Sequence, residues 1–225
     1  RMISKTISIL RVSAVLFLVT ILSLNSKAQS IDSTIQNVMD MRSIGPAGMS
    51  GRVTAIDAET DNPEVIYIGT ASGGVWKSVS GGITWNPIFD DNPLLGIGSV
   101  AINQNNTDEL WGGTGEGNPR NSHTSGGGIY KSIDAGQTWE MKGLEATKNI
   151  HRVIINEQNS NVVFACAMGS VWGANPERGV YRTIDGGDTW KNVLFVSESV
   201  GCAELIQDPA NPNKLFAAMW EYGRQ

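Results

Sequence analysis

The sequence predicts an all-β fold, a partial β-propeller of four-stranded blades that comprises three blades and half of a fourth. Three observations lead to this prediction. A segment ending in tryptophan recurs about every 50 residues, a period typical of propellers and solenoids. Each repeat contains four short hydrophobic runs, as a propeller blade does. The composition, with 26 glycines, 7 tryptophans and only 17% charged residues, fits many short strands joined by tight turns.

The recurring segment predicts a tight turn between two strands. One copy occupies Lys131–Trp139, and related copies end at Trp85 and Trp190. An aspartate that opens such a turn can accept hydrogen bonds from following N–H groups, while glycine supplies a conformation that other residues resist. In the first copy serine replaces the aspartate, so its turn is expected to be looser. A structural and noncatalytic role is therefore predicted for Ser80, Thr84, Trp85, Asp134, Thr138, Trp139, Asp185, Thr189 and Trp190.

The last strand of each complete repeat is expected to begin at the threonine of the turn. These strands are predicted from Thr84 to Ile88, from Thr138 to Met141 and from Thr189 to Val193. The fourth repeat supplies only two strands, Glu204 to Ile206 and Leu215 to Met219, before the sequence given stops. We therefore expect the natural protein to be longer.

The N-terminus is typical of an export signal. Basic residues precede the apolar run Val12–Leu24, and small residues at Ser26-Lys27-Ala28 follow it. The alternative is an uncleaved membrane anchor, but the run is shorter than the roughly 20 residues that a spanning helix needs. We predict a secreted or periplasmic protein without a stable membrane anchor after cleavage. The predicted domains are a signal peptide at 1–28, a linker at 29–41 and a partial propeller at 42–225, with blades at about 42–90, 91–143, 144–196 and 197–225.

Charge and cysteine content exclude some classes of ligand. The net charge is -5, which gives no basic field for nucleic acid. No Cys/His spacing is typical of a metal site, so we expect neither a metal nor a cofactor. Cys166 and Cys202 either form a disulfide in an exported protein or serve as two small buried hydrophobic residues, and the sequence leaves both open.

Strand connectivity predicts where a binding site lies. If the strands of a blade are called A, innermost, to D, outermost, the tryptophan-ended segment is the C–D turn. The A–B and C–D turns then share one face, and the longer B–C loops lie on the other. Loops on a rigid scaffold commonly carry binding groups. The predicted ligand-binding residues are Glu116, Asn118, Arg120, Trp172, Glu177 and Arg178.

The repeats resemble the Asp-box (BNR) propellers of the bacterial sortilin type, proteins often labelled glycosyl hydrolases. Besides the turns, the resemblance includes Arg42–Pro46, Gly69–Lys77 and Gly113–Arg120, and it extends over about residues 42 to 225. It implies a large propeller that binds peptide or protein ligands, without implying catalysis.

Two kinds of propeller enzyme can be compared residue by residue. Xyloglucan-cleaving hydrolases carry a catalytic aspartate in a T-D-x-G-G motif, and the matching stretch here is Thr70-Ala71-Ser72-Gly73-Gly74. Ala71 lacks the carboxylate, although glycosidases need a pair of them. The segment Arg42–Pro46 resembles the arginine motif of sialidases only weakly.

These observations favour a noncatalytic exported propeller that binds peptide, protein or glycan on its B–C loop face. No catalytic residue is assigned. The alternative is a glycoside hydrolase or sialidase-like enzyme whose remaining catalytic residues lie in a missing C-terminal part. A third reading, an assembly factor or chaperone, predicts capture of a polypeptide without turnover.

Overall fold

The protein is a partial β-propeller, as the sequence predicts. The computed structural model describes residues 52–118 and 121–223. Three four-stranded antiparallel sheets, each with its strands in sequence order, are followed by a two-stranded sheet. The predicted signal peptide at 1–28 and linker at 29–41 lie outside the described residues.

Each blade is a simple antiparallel meander. The first contains β1 (Val53–Ala58), β2 (Ile66–Thr70), β3 (Val75–Ser78) and β4 (Asn86–Pro87). The second contains β5 (Ile97–Ile102), β6 (Leu110–Thr114), β7 (Ile129–Ser132) and β8 (Glu140–Met141). A 3-10 helix at Glu145–Thr147 precedes the third, which contains β9 (Ile150–Ile155), β10 (Val163–Ala167), β11 (Gly179–Thr183) and β12 (Lys191–Leu194). The two strands of the fourth sheet are β13 (Val200–Asp208) and β14 (Asn211–Glu221).

The outermost strands begin later than the sequence predicts. β4, β8 and β12 start at Asn86, Glu140 and Lys191, each two positions beyond the turn threonine. The reason is that the threonine N–H is already used, since Thr138 N donates to the Asp134 carboxylate at 2.8 Å and cannot enter the strand ladder. The turn therefore shortens the strand that follows it.

Hydrogen bonds between loops show that the two ends of the sheets differ. At one end, A–B and C–D turns meet, since Gly81 N donates to Glu64 O and Ala135 N donates to Asp108 O, both at 2.9 Å. We call this end the turn face. At the opposite end, which we call the loop face, the B–C loops meet the connections between blades, and Gly115 N donates to Gly96 O at 2.7 Å.

The tryptophans of the second and third turns join their blades to the preceding ones. The indole of Trp139 donates to Ile88 O and that of Trp190 donates to Lys142 O, both at 2.7 Å. Both acceptors lie three residues after the previous tryptophan. Apolar side chains fill the space between the sheets, and Phe89 meets Trp139 edge to face with ring centroids 5.1 Å apart.

A second joint lies between the inner strands of neighbouring blades. A Cβ built on Gly69 would lie 2.5 Å from Cγ2 of Ile97, and one built on Gly113 would lie 2.7 Å from Cγ2 of Ile150. In both cases an isoleucine from the A strand of the next blade fills the space that a glycine of the B strand leaves empty. We call the isoleucine the knob and the glycine the socket. The glycines are therefore required by packing.

Between the third blade and the fourth sheet, the same inner-strand contact is made by a covalent bond. Cys166 and Cys202 form a disulfide with a Cα–Cα distance of 5.1 Å, which decides between the two readings that the sequence left open. Strand pairing shows that Cys166 occupies the socket position and Cys202 the knob position. The disulfide thus links the third blade to the fourth sheet where the other blades use glycine and isoleucine.

Among residues 52–118 and 121–223, no helix has the length and apolar character needed to span a membrane.

We predict that enlarging a socket destabilises the propeller. Gly113→Ala should lower the free energy of unfolding by about 1–3 kcal/mol, because the new methyl group meets Ile150 in a filled space. Urea unfolding measures this loss. Gly223→Ala is the matched control, since nothing lies within 4 Å of a Cβ at that position. Equal stability of the two variants would contradict the packing role of Gly113.

We also predict that the disulfide can be exchanged for the packing used at the other joints. Cys166→Ala with Cys202→Ala should lower the free energy of unfolding by about 2–4 kcal/mol, the usual effect of losing a disulfide. Cys166→Gly with Cys202→Ile should recover part of this loss, because it recreates the socket and knob. Urea midpoints of the two double variants decide the point, and a Gly/Ile pair no more stable than the Ala/Ala pair would show that the positions are not equivalent.

Candidate functional site

The B–C loop of the first blade is short and packed. The Thr70 hydroxyl donates to Gly74 O at 3.0 Å and accepts from Gly73 N at 2.8 Å, which closes the loop on itself. Ala71 is buried inside it. At the position where the xyloglucan-cleaving motif has an aspartate, this chain therefore places a methyl group that solvent does not reach.

The B–C loop of the second blade contains an ion pair. Arg52 Nε donates to Glu116 Oε1 at 3.0 Å, and Nη2 donates to Oε2 at 2.7 Å. Glu116 is fully buried, whereas 30% of the Arg52 side chain is exposed. Bidentate pairs of this kind fix both direction and distance. Glu116 thus holds Arg52 at the start of the first A strand, and the arginine is the member of the pair that a ligand can reach.

Other predicted residues of this loop lie at its rim or outside the described residues. Asn118 is exposed, and Arg120 falls on a position that the structure does not describe. His151, from the third A strand, packs directly against Gly117. Burial, followed by the neighbouring Arg152 charge, lowers the pKa of His151, so its ring stays neutral at lower pH than an ordinary histidine does.

The B–C loop of the third blade is built around a buried cation. Arg178 donates to the carbonyl oxygens of Ser170 at 2.8 Å, Gly173 at 3.3 Å and Ser199 at 3.0 Å. Only 1% of Arg178 is exposed, and burial lowers its pKa. Arg178 was predicted to contact a ligand, but its guanidinium is used within the protein to hold this loop against the connection to the fourth sheet.

The same loop presents an aromatic ring and a carboxylate on the loop face. Trp172 is 64% exposed. The Tyr181 hydroxyl donates to Glu177 Oε2 at 3.1 Å. Burial and the nearby Glu177 charge raise the pKa of Tyr181 to about 12, so its phenol remains a donor at neutral pH. An adjacent groove between the third blade and the fourth sheet is lined by Gly173, Ala174, Arg178, Ser199, Glu221 and Tyr222.

The structure places the described members of the predicted set on one face but in two groups. Glu116 and Asn118 belong to the second blade, and Trp172, Glu177 and Arg178 to the third. Asn149 lies between the groups, where its Nδ2 donates to Gly169 O at 2.7 Å and its Oδ1 borders Gly115. Asn149, Tyr181 and Ser199 were not predicted. Asn149 precedes an A strand, so the connectivity argument could have placed it on the loop face.

A second concavity follows the inner strands. It has a volume of about 580 Å³ and includes the Arg152–Glu204 ion pair, in which Nε lies 2.6 Å from Oε1. The loops at Asn103–Gln104 and Glu157–Gln158 place it toward the turn face. Within the described part of the chain, no group of three His, Cys, Asp or Glu residues could hold a metal ion.

On the turn face, the aspartates are engaged by their own turns. The Asp134 carboxylate accepts from Thr138 N at 2.8 Å, Thr138 Oγ1 at 2.6 Å and Ser132 Oγ at 2.7 Å. These hydrogen bonds lower the pKa of Asp134 to about 2. Asp185 is bound in the same way by Thr183 and Thr189. In the first turn, Ser80 Oγ accepts the equivalent hydrogen bond from Thr84 N at 2.9 Å, but the serine carries no charge.

Comparison with known proteins gives relatives in sequence and in structure, whereas no protein-family model matches the chain. The chain is 24% identical over 206 residues to the oligoxyloglucan-reducing end-specific xyloglucanase of Emericella nidulans. The match covers 88% of this chain and 25% of that enzyme, so the chain spans about a quarter of its relative's length.

Solved structures that resemble the chain are propellers. The GH74 xyloglucanase from Xanthomonas campestris matches 79% of this chain and 29% of its own, with a TM-score of 0.57 and 18% identity. A structure of YCF48 bound to D1 peptide matches 79% of this chain and 53% of its own, with a TM-score of 0.50 and 15% identity. At these identities the structural likeness supports the fold alone.

We predict that the carboxylate of Asp134 gives the propeller an acid-sensitive share of its stability. Because the pKa of Asp134 is depressed to about 2, its contribution is present above the unfolded value near 4 and is lost as the pH falls toward 2. Asp134→Asn should therefore be less stable than the wild type at pH 6, with the difference shrinking toward pH 2. Urea unfolding across this range measures it. Ser80→Ala, in the turn without a carboxylate, is the control and should show a difference that does not depend on pH.

Proposed function

We propose that the chain is part of a secreted glycan-acting propeller, a glycoside hydrolase with a substrate of the xyloglucan type. The observation that carries the proposal is its sequence similarity to a xyloglucanase, 24% identity across 88% of the chain. Similarity to an enzyme of this kind favours the hydrolase reading over the noncatalytic binder that the sequence analysis preferred. The sortilin-type resemblance remains a hypothesis about the repeats.

The loop face is the proposed ligand surface. Trp172 offers an exposed aromatic face, and amphipathic rings of this kind contact ligands that are apolar on one side and polar on the other. Glu177 stands five residues along the same loop, with its carboxylate oriented by Tyr181. Arg52 adds a cationic donor that Glu116 holds in place. This set of groups fits a neutral ligand rich in hydroxyls better than a polyanion.

The carboxylates of the described loops have different roles in this proposal. Glu116 is fully buried and paired with Arg52, so it positions the arginine and is not itself the acid or base. Glu177 is partly exposed and is the described carboxylate that we assign to the reaction. Glycoside hydrolysis requires two carboxylates. With Ala71 in place of the motif aspartate, the second must come from outside the T-D-x-G-G position.

Ala71 also favours a second candidate, binding of a glycan without turnover. A propeller that lacks one carboxylate of the pair retains its loops, its aromatic platform and its Arg52 donor. Under this alternative the protein would bind xyloglucan oligosaccharides and leave their bonds intact.

Turnover of xyloglucan oligosaccharides by the full-length protein tests the proposal. We expect new reducing ends, and Glu177→Gln should lower kcat by about 10²–10⁴-fold, the usual contribution of a general acid or base. Glu116→Gln should mainly raise KM, because it releases Arg52 from its fixed position. Glu64→Gln, on the exposed turn face, is the matched control and should leave both parameters unchanged.

Calorimetry separates the outcomes. Binding that Trp172→Ala weakens, together with no turnover by the wild type, would support the noncatalytic alternative. A protein that neither cleaves nor binds these oligosaccharides would contradict both.

A further inference from the structure

Each described inner strand contains a β-bulge directly after the residue at its knob position. Strand pairing skips one residue at this point in all four described sheets. The skipped residues are Thr54, Gly98, His151 and Ala203. A bulge turns a side chain out of the regular alternation of a strand, and bulges are frequent beside active sites. Inner strands line the central channel of a propeller whatever its number of blades, so these bulges lie around the loop-face mouth of that channel.

In the first two blades the bulge position is used by the protein itself. Thr54 Oγ1 lies within hydrogen-bonding distance of Gly69 O, at 3.0 Å, and of Ile97 O, at 2.6 Å. A Cβ built on Gly98 would overlap Ile150 O, so no side chain fits there. The third blade differs, because its bulge carries an imidazole.

The B–C loop of the second blade is shaped around the ring of His151. A Cβ built on Gly117 would overlap Nδ1 of the imidazole. Gly117 does not have a positive φ, so its backbone conformation does not require glycine. Space for the imidazole therefore accounts for this glycine, as space for an isoleucine accounts for the sockets. The loop thus holds the ring on its Nδ1 side.

The two nitrogens of the His151 ring have different surroundings. Nδ1 is buried and has no hydrogen-bond partner. A proton on Nδ1 would be an unpaired buried donor, which native structures tolerate less often than an unpaired acceptor. The neutral ring therefore carries its proton on Nε2. The ring is partly exposed, and its solvent-facing nitrogen is Nε2. Burial lowers the pKa of His151, which agrees with this assignment because a charged ring would have a proton on Nδ1 as well.

The charges around His151 cancel in pairs. Arg152, the next residue, is bound by Glu204, with Nε 2.6 Å from Oε1. On the other side, Arg52 is bound by Glu116, which precedes the glycine that holds the ring. The two arginine side chains remain 39% and 30% exposed. The channel mouth therefore offers hydrogen-bond donors without net charge, a combination that suits a neutral ligand with many acceptor oxygens.

We propose that His151 binds a glycan at the channel mouth, with its Nε2–H donating to a hydroxyl or ring oxygen of a sugar residue. This inference rests on the proposed function and adds a binding residue to it. Arg52 contacts Glu116 and His151 contacts Gly117, which are consecutive residues of one loop. One sugar chain can therefore reach both donors.

Calorimetry with xyloglucan oligosaccharides and the full-length protein tests the proposal. His151→Phe keeps a ring beside Gly117 and removes the donor, so the Kd should rise about 3–10-fold, the usual effect of losing one hydrogen bond. His151→Gln is the matched control, because its amide nitrogen can take the place of Nε2 and should retain most of the affinity.

Urea unfolding distinguishes this role from a structural one. His151→Phe should be at least as stable as the wild type, because it replaces an unpartnered buried nitrogen with carbon. A purely structural role predicts the reverse, a loss of stability with unchanged affinity.

NMR of the unmodified protein gives a readout that does not depend on how the variants fold. Long-range ¹H–¹⁵N spectra of histidine-labelled protein at neutral pH should show the Nε2–H tautomer of His151, and its Nε2 signal should move when the oligosaccharide is added. An Nδ1–H tautomer, or affinity that His151→Phe leaves unchanged, would overturn this inference and leave the proposed function intact. A wild type that neither binds nor cleaves these oligosaccharides would overturn both.

Discussion

The structure depends on contact between the inner strands of successive blades. In this joint a residue of one A strand enters a space left by a B-strand residue of the blade before it. Gly69 and Gly113 leave no room for a Cβ, so the distance between sheets is set by the isoleucines that face them. The same spacing lets the tryptophan of the outer turn reach a carbonyl of the preceding blade. Inner and outer contacts therefore support one another, and a blade is complete only with its neighbours.

This constraint explains why the turn face and the loop face are built differently. The turn face is occupied by hydrogen bonds that each turn makes to itself, as at Asp134 and Asp185. The loop face is built from longer segments held by a few buried groups, Glu116 in one blade and Arg178 in the next. Rigid support beneath variable loops is the usual arrangement of a binding scaffold.

The fold could be predicted from sequence because the repeat carries it. The tryptophan-ended turns fixed the number of blades, and antiparallel connectivity assigned the loops to their face. The site was harder to predict from the sequence. Arg178 and Glu116 have the side chains of ligand-binding residues, yet both are buried, and only tertiary packing distinguishes a buried charged group from an exposed one. The glycine sockets were also hidden, since a glycine that receives an isoleucine from 28 or more positions away has no local signature. The cysteine pair became interpretable only when strand register showed which positions it replaced.

The anchor of the third-blade loop has a consequence for the pH range over which that loop keeps its shape. Within the described part of the chain, Arg178 is held by main-chain oxygens and has no carboxylate at salt-bridge distance. Peptide carbonyls do not titrate, and a guanidinium keeps its proton at acidic and neutral pH. The loop that bears Trp172 and Glu177 should thus retain its shape as the pH falls, whereas an anchor made of a carboxylate pair would weaken.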